Sequence, residues 1–380
     1  MKKSLFATTA IVAAFGLGAT AAQAQDDAGW SVGLSGYSNF MVGFADQDNP
    51  SSTKTGFDEN GNPAASGDAS STGGDGYHDS DFDFITDSEV NVDASITLDN
   101  GITTGFAVQL IGDAGSAEDN GQEEQIIFME GSFGRVELGH EDGANNTMHY
   151  GATSVKAVFV GTYNNTTGTI VNYSGGAPVL TQFVDSSDAT KVNYYTPRFA
   201  GIQAGVTYAP DDDKDSFAGR RDATATTDQF EAGVNYVNSF NGFDIAASLT
   251  GAYANTTAGD DSSYNVVPGV VVGFGGFEFG GSVGFGEVNG EDAIAYDAGV
   301  GYSTGPWSVS LTGIYTEEDQ TDGTTDEFSE VNAGINYALG PGVSIFTSVA
   351  FGEREDGTTT ADGGVDNDYA SVVSGVGVSF

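Results

Sequence analysis

Apolar and polar residues alternate with a period of two over much of the chain after residue 30. From Trp30 to Phe44 every second side chain is apolar or small, and a related alternation returns between Phe84 and Leu98. Successive side chains of a β-strand point to opposite faces, so this pattern predicts strands that have one apolar face. We therefore expect an all-β fold.

Short turns and long polar segments connect the predicted strands in alternation. Asp99-Asn100-Gly101 is a hairpin turn, because Asn-Gly accommodates the positive φ angles that tight turns need. Gly275-Gly276 and Gly305-Pro306 mark further tight turns. We predict about sixteen strands in all. They span residues 30–44, 84–98, 102–110, 126–132, 135–139, 192–195, 202–208, 230–236, 243–253, 264–274, 277–285, 294–302, 307–315, 331–337, 343–351 and 368–380.

The acidic residues collect in the long Gly-, Ser- and Thr-rich segments and avoid the predicted strand faces. An even strand number, with short turns on one side and long loops on the other, indicates a transmembrane antiparallel β-barrel. The last strand ends on Phe380, and we expect it to pair with the first strand and close the barrel. A soluble β-sandwich or β-propeller, which would also alternate, is the alternative. Tyrosines near predicted strand ends fit an aromatic girdle at the membrane interface: Tyr208, Tyr236, Tyr302, Tyr315 and Tyr337.

The N-terminal segment has the features of a secretory signal peptide. Met1-Lys2-Lys3 is positively charged, residues 6–22 are apolar and small, and Ala22-Gln23-Ala24 is a small-x-small cleavage site. A transmembrane anchor is the alternative. We expect residues 1–24 to be cleaved and residues 25–380 to form one outer-membrane barrel without a second domain.

The composition narrows the function further. The chain has 54 acidic and 11 basic residues, and this net charge of −43 argues against binding to nucleic acid or to an anionic lipid surface. The absence of cysteine excludes a disulfide framework, so stability must come from sheet hydrogen bonds and burial. With 56 Gly and only 8 Pro, the composition favours many strands and tight turns over disorder.

The longest segment without strand alternation lies between His140 and Lys191. A loop of about 50 residues inside a compact barrel is usually functional. It is poor in acids between residues 143 and 184 and carries apolar patches at 157–160 and 178–180. A loop exposed to water has no reason to be so apolar. We therefore expect this third long loop to fold inward, against the inside of the barrel.

The stretch 128–144 carries a family resemblance. Its core, Gly131-Ser132-Phe133-Gly134-Arg135-Val136-Glu137-Leu138-Gly139, resembles the Gly-Phe-Gly-x-Val-x-Leu-Gly signature that precedes the constriction loop of Gram-negative general porins, closest to the alphaproteobacterial branch. The similarity extends from about residue 30 to Phe380. It implies a homotrimer of 16-stranded outer-membrane barrels. Apart from the resemblance, we expect the outer face of the barrel to contact membrane lipid, and divalent cations to bridge the acidic loops to surface lipopolysaccharide. In such porins the third long loop narrows the pore, with acidic loop residues facing basic wall residues.

This sequence departs from that family pattern because its wall offers few basic residues. The candidates are Arg135, Lys191 and Arg198, of which Arg135 and Arg198 lie beside short turns. Acidic linings favour cations. We therefore predict a water-filled channel for passive diffusion of ions and small hydrophilic solutes, with a weak preference for cations. The predicted charged lining of the pore constriction is Glu141, Asp142, Lys156, Asp185, Asp188 and Lys191.

Two other functions are kept open at this point. The first is a substrate-selective channel, for example for sugars, which would stack on aromatic residues of the long loop. Those aromatic residues are Tyr150, Phe159, Tyr163 and Tyr173. The second is a structural or adhesive barrel with a plugged lumen, whose long acidic loops carry the function. Saturable conductance would indicate the first alternative, and absence of conductance would indicate the second.

Metal binding and catalysis have weaker signals. Asp211, Asp213 and Asp215 form a dense carboxylate cluster that could bind Ca²⁺, which takes oxygen ligands; a solvated acidic loop is the alternative. No other cofactor is expected. His140 stands beside Glu141 and Asp142, which is the composition of an acid–base pair, but no spacing singles out a catalytic constellation. We therefore expect a protein that is not an enzyme.

Overall fold

The computed structural model describes residues 22–25, 29–47, 82–112, 122–155, 181–212, 226–255, 262–355, 357 and 366–380. Strands account for most of these residues. They are β1 (Ala22–Gln25), β2 (Ser31–Gln47), β3 (Phe82–Thr97), β4 (Thr103–Ile111), β5 (Gln122–Gly131), β6 (Gly134–His140), β7 (Thr190–Tyr195), β8 (Ile202–Asp211), β9 (Thr227–Phe240), β10 (Phe243–Asn255), β11 (Ser262–Phe274), β12 (Phe277–Val288), β13 (Glu291–Thr304), β14 (Trp307–Asp319), β15 (Thr325–Gly340), β16 (Val343–Glu355) and β17 (Asn367–Ser379). A single helical turn, α1 (Ala144–Thr147), and a 3₁₀ turn at Ala152–Ser154 lie between β6 and β7.

Strands β2 to β17 form a closed antiparallel barrel of sixteen strands. Each strand pairs with the next one in the chain, and β17 pairs with β2, with Ser379 opposite Tyr37. The backbone of Phe380 continues this seam by exchanging two hydrogen bonds with Gly36, of 3.1 and 3.0 Å. Closure provides backbone partners all around the sheet and leaves no open edge. The predicted barrel, its strand number and its seam are confirmed.

The short strand β1 lies outside this ring of sixteen. It pairs with Ser31–Leu34 of β2, beyond the point at which β17 ends. β1 therefore straddles the predicted cleavage site after Ala24. Most of the predicted signal peptide, residues 1–21, falls outside the described residues. No helix in the described ranges is long and apolar enough to cross a membrane.

The two faces of each strand differ in a way that reverses the usual soluble fold. In β10, Leu249 and Tyr253 are exposed, whereas Ser248, Thr250 and Ala252 are buried. Side chains that point toward the axis of a closed barrel crowd one another, so the buried polar side is the inside. We call this side of β2–β17 the inner wall. The exposed apolar side fits a surface that faces lipid.

Aromatic side chains form a row at each end of this apolar band. Near the short turns, Phe243 stacks on Phe274 with ring centroids 4.4 Å apart, and Trp307 contacts Tyr337 at 4.5 Å. At the other end, Tyr296 stacks on Tyr315 at 5.0 Å. A strand that is tilted by about 40° rises roughly 25 Å over ten residues, which is the height of the apolar band of an outer-membrane barrel. The two rows therefore mark the two membrane interfaces.

A pair of substitutions on β14 tests the assignment of the two faces. Leu311→Arg places a charge on the apolar outer side and should lower the free energy of unfolding by about 2–4 kcal/mol if it lies near the bilayer midplane. Ser310 is adjacent and lies on the inner wall, so Ser310→Arg should lower the free energy of unfolding much less. Urea unfolding in lipid vesicles measures both. Equal losses for the two variants would contradict the assignment of the faces.

Candidate functional site

The described parts of the connection between β6 and β7 lie against the inner wall. Two parts of it are described: residues 141–155, which we call the first stalk, and residues 181–189, which we call the second stalk. Both hydrogen-bond to side chains of β7 to β13 that point inward. The intervening residues 156–180, including Lys156 of the predicted lining, fall outside the described residues.

Glu231 of β9 anchors both stalks through their backbones. Its Oε2 accepts a hydrogen bond of 2.7 Å from the backbone N–H of Asn145 in the first stalk. Its Oε1 accepts bonds of 2.7 and 2.6 Å from the backbone N–H and the hydroxyl of Ser186 in the second stalk. The side chain is only 3% exposed. A buried carboxylate needs such charge-assisted bonds, so the loop and the wall residue stabilise each other.

Asp297 of β13 holds the end of the first stalk. Its Oδ1 accepts hydrogen bonds from the backbone N–H groups of Ala152, at 2.9 Å, and Ser282, at 2.7 Å. Its Oδ2 accepts a bond of 2.8 Å from the Ser282 hydroxyl. The Ser282 hydroxyl also lies 3.1 Å from the hydroxyl of Thr181, at the start of the second stalk. The Asp297–Ser282 pair therefore joins two wall strands to both stalks.

Neutral contacts hold the first stalk before Glu231 and between the two carboxylates. The backbone N–H of Ala144 donates to the hydroxyl of Thr207 on β8 at 2.8 Å, and that of Tyr150 donates to the hydroxyl of Ser248 on β10 at 2.9 Å. Because the contacts use backbone groups of the loop, they fix its path across the wall regardless of which loop side chains point into the lumen. The first stalk thus crosses β8 to β13 in order.

Glycines on the wall allow this close approach. A Cβ atom at Gly269 of β11 would overlap the carbonyl oxygen of Tyr150, and one at Gly280 of β12 would lie 2.6 Å from the carbonyl oxygen of Gly151. A Cβ at Gly284 would overlap the carbonyl oxygen of Thr181. Backbone can approach backbone this closely only where no side chain intervenes. Gly269, Gly280 and Gly284, which we call the glycine bed, therefore leave room on the wall for the backbones of both stalks.

The structure brings most of the predicted lining together at the base of the two stalks. Asp142 and Asp185 are half-buried, and Asp188 lies beside them in the second stalk. Glu141 is more deeply buried, at 7% exposure. Lys191 is 3% exposed, and its ammonium group donates to backbone carbonyls of the stalks rather than standing in open lumen. That these residues line the constriction stays a prediction.

Burial and crowding change the acidity of these loop carboxyls. Burial, together with the charges of Asp185 and Asp188, raises the pKa of Asp142 to about 7. Burial and the charge of Glu231 raise the pKa of Asp185 to about 6. Burial, followed by the charges of Glu137 and Asp142, also raises the pKa of Glu141. Protonation at the base of the loop therefore falls in the neutral range rather than near pH ~4.

Arg135 and Arg198, the other two basic wall candidates, have partners other than the stalk carbonyls that Lys191 binds. Arg135 of β6 pairs with Glu130 at 3.2 Å and with Glu137 at 2.5 Å. Arg198 lies in the short turn between β7 and β8 and donates to the carbonyl of Gly201 at 2.7 Å. Both positions agree with the expectation that these residues stand beside short turns.

Sequence reasoning missed the two wall carboxylates that hold the loop. Glu231 and Asp297 are single acids inside otherwise regular strands, and an alternation pattern counts them only as polar inward positions. A signal does exist in the sequence. Each acid is followed two residues later, on the same face, by a glycine: Gly233 and Gly299. A Cβ at Gly233 would lie 2.9 Å from the Cβ of Met148 in the first stalk, so these glycines mark where the loop rests.

The predicted calcium cluster is only partly described. Asp211 lies at the end of β8 and is buried, while Asp213 and Asp215 fall outside the described residues. In the part of the chain that the structure describes, no group of three or more His, Asp or Glu side chains could hold a metal ion. Calcium binding at this loop stays a prediction.

Comparison with known proteins decides the family. The family model described as Gram-negative porin matches residues 7–357, most of the chain. The chain belongs to the Gram-negative porin family. The resemblance inferred from residues 128–144 is thereby confirmed. This porin is a multi-pass outer-membrane protein and a channel for small solutes.

Solved structures and a sequence relative resemble this porin along most of its length. An anion-selective porin from Comamonas acidovorans superposes with a TM-score of 0.60 at 18% identity, covering 92% of this chain and 100% of that one. The trimer form of OmpT, an outer membrane protein of Vibrio cholerae, gives 0.60 at 13% identity, covering 92% and 99%. An uncharacterised protein of Rickettsia bellii is 24% identical over 301 residues, covering 59% of this chain and 68% of that protein. At these identities the two structures establish the fold alone.

A substitution in the glycine bed tests whether the loop rests on the wall of this porin. Gly269→Ala should push Tyr150 away and destabilise the seated loop by about 1–3 kcal/mol, because the new methyl group overlaps a carbonyl oxygen. Gly273→Ala, on the same strand and face, meets its nearest atom at 3.5 Å and is the matched control. Single-channel conductance and urea midpoints measure both. If Gly269→Ala and Gly273→Ala have the same effect, the first stalk does not lie on Gly269.

Proposed function

We propose that this porin is a water-filled, passive channel for ions and small hydrophilic solutes, with a weak preference for cations. Residues 141–189 form its constriction in this proposal. The single observation that supports it most is the attachment of both stalks to one side of the inner wall through Glu231 and Asp297. A segment fixed inside the barrel narrows the lumen.

The wall opposite the stalks offers the path for water and ions. The described contacts of the stalks fall on β7 to β13. The remaining inner wall, on β14–β17 and β2–β5, carries two buried apolar clusters, one around Phe328 and Tyr369 and one around Met41 and Phe346, and polar side chains as well. Among them, Asp87 accepts hydrogen bonds from Tyr37 and Asn39 on β2, both at 3.2 Å. We infer that permeation follows this side of the lumen.

Charge supports the preference for cations. Register places many carboxylates on the inner wall. They include Asp87, Glu89, Asp93, Glu137, Glu231, Asp297 and Glu330. In the described strands, the basic side chains that point inward are Arg135, Lys191 and Arg354. An excess of carboxylates lowers the energy of a cation in the lumen and raises that of an anion.

The assembly and the surroundings of this porin are also proposals. One of its structural neighbours was determined in a trimer form, and we propose a homotrimer for this chain. We propose lipid contact on the apolar outer side and lipopolysaccharide contact at the end of the barrel that carries the long loops. No catalytic step is assigned, because the porin family is one of channels.

The alternative of a substrate-selective channel stays open. Of the four aromatic loop residues that would stack on a sugar, Tyr150 is described, and its backbone is fixed on Ser248. Phe159, Tyr163 and Tyr173 fall outside the described residues, so saturable conductance in the experiment below decides this alternative. A plugged barrel stays as an outcome of the experiment below, since it would show no conductance.

The preference for cations should depend on pH in the neutral range. Asp142 and Asp185 have pKa values raised to about 7 and about 6, so acidification neutralises them and should reduce the ratio of cation to anion permeability between about pH 8 and about pH 5. The same shifts mean that the folded state binds protons more readily than the unfolded chain. Their contribution to stability is therefore complete below pH ~4 and is lost as the pH rises through about 7.

Reversal potentials across a KCl gradient in planar bilayers measure this dependence. Asp142→Asn combined with Asp185→Asn should reduce the pH dependence, and the part that Glu141 contributes should remain. Asp368→Asn, which removes an exposed carboxylate from the outward side of β17, should retain the full pH dependence and serves as the control. An anion-preferring channel, a pH-independent potential, or a folded and inserted protein without conductance would each contradict the proposal.

A further inference from the structure

Lys191 of β7 also bridges the two stalks, in addition to Glu231 and the Asp297–Ser282 pair. Its ammonium group donates to the carbonyl oxygen of Glu141 in the first stalk and to those of Ser186 and Ser187 in the second stalk, the Ser186 bond measuring 3.3 Å. An ammonium group has three N–H donors, and here each has a backbone acceptor. Lys191 therefore joins the start of the loop to its end. Glu231 does the same from β9, two strands away on the inner wall.

Ser186 lies between these two opposite charges. Its N–H donates to Glu231 and its carbonyl accepts from Lys191, so both ends of its backbone are held by wall residues of complementary sign. Asn145 and Glu141 in the first stalk are held in the same way, one by each charge. The carboxylate binds amides and the ammonium binds carbonyls, so each charge is matched to the backbone groups that face it.

The backbone conformation of Ser187 is unfavourable and is maintained by its contacts with Lys191 and Asp185. Ser187 has φ = 40°, in the left-handed region that residues other than glycine and asparagine seldom adopt. This conformation lets its carbonyl reach the ammonium group of Lys191. Its N–H is held by the Asp185 carboxylate at 3.0 Å. An unfavourable conformation persists only where surrounding contacts require it.

We propose that Lys191 and Glu231 act together as a charged clamp that positions the constriction loop, and that this clamp sets the pH at which the channel loses its preference for cations. Neither residue is assigned a direct contact with the solute; both act through the stalks. The selectivity part rests on the proposed function above. The positioning part does not.

The clamp residues influence the selectivity carboxyls in opposite directions. The positive charge of Lys191 lowers the pKa of Asp142 and of Asp185, and the negative charge of Glu231 raises both. The charged groups that face this cluster from every packed element are Arg135 and Glu137 of β6, Glu141 and Asp142 of the first stalk, Asp185 and Asp188 of the second stalk, Lys191 of β7 and Glu231 of β9.

Two measurements on the purified, folded porin test the proposal. The first is hydrogen exchange at the backbone amides of Asn145 and Ser186. Lys191→Met and Glu231→Gln should each speed exchange at both amides by about tenfold, because each removes charge-assisted bonds from both stalks. The double variant should fall short of the product of the two single effects, since the residues act on the same stalks. Arg354→Met, which removes a buried cation from β16, should leave exchange at these amides unchanged.

The second readout is the pH midpoint of the reversal potential. Lys191→Met should move the midpoint to higher pH, Glu231→Gln should move it to lower pH, and Lys191→Arg should restore it toward the wild-type value. A role in packing alone would not produce opposite shifts. If Lys191→Met retains wild-type exchange at Ser186, the clamp is wrong. If exchange rises while the midpoint shifts in the same direction for both variants, its role in selectivity is wrong.

These outcomes can be separated from failure of the proposed function. A wild-type protein without cation preference would overturn that function, and with it the selectivity part of the proposal. The exchange measurement would still decide the clamp, because it does not depend on conductance.

Discussion

The hydrogen bonds between β17 and β2 close the sheet, and this closure decides where everything else in the molecule can lie. A closed antiparallel barrel satisfies its strand backbones internally, so its outer side is free to be apolar and its inner side polar. Leu249 and Tyr253 can then be exposed while Ser248 and Thr250 are buried. The same closure creates a lumen, and a loop that enters it finds polar side chains from many strands on one continuous wall.

The two stalks are held against the inner wall because buried polar groups on both sides need hydrogen-bond partners. A carboxylate in a crowded lumen is costly unless it is hydrogen-bonded, and a loop backbone away from bulk water needs partners for its N–H groups. Glu231 and Asp297 meet both needs at once, since each accepts N–H bonds from the stalks. Glycines such as Gly269 and Gly280 remove the side chains that would keep the two backbones apart. The remaining wall carboxylates leave the lumen acidic.

Alternation along the sequence was enough to predict the barrel, because lipid on one side and a polar lumen on the other impose a period of two. It was weaker at strand ends. β15 spans Thr325–Gly340, whereas alternation marks only residues 331–337, since the hydrogen-bond ladder continues past the apolar band into acidic sequence. The site was harder. Lys191 was named as a lining residue from its charge, but its burial among loop carbonyls depends on contacts between distant segments that no local pattern encodes.

The position of the first stalk against β13 determines where the loop lies in the lumen, and a disulfide between the two tests it most directly. The chain has no cysteine, so Ala152→Cys with Gly299→Cys gives the only pair; a Cβ at Gly299 lies 3.2 Å from that of Ala152. Thr312→Ser removes the methyl group that stands 2.9 Å from the new Cβ. We expect a mild thiol oxidant such as diamide, which takes up the two electrons and two protons of the thiols, to close the disulfide, and we expect oxidised and reduced channels to conduct equally. A pair that does not cross-link, or a cross-link that changes the conductance, would contradict it.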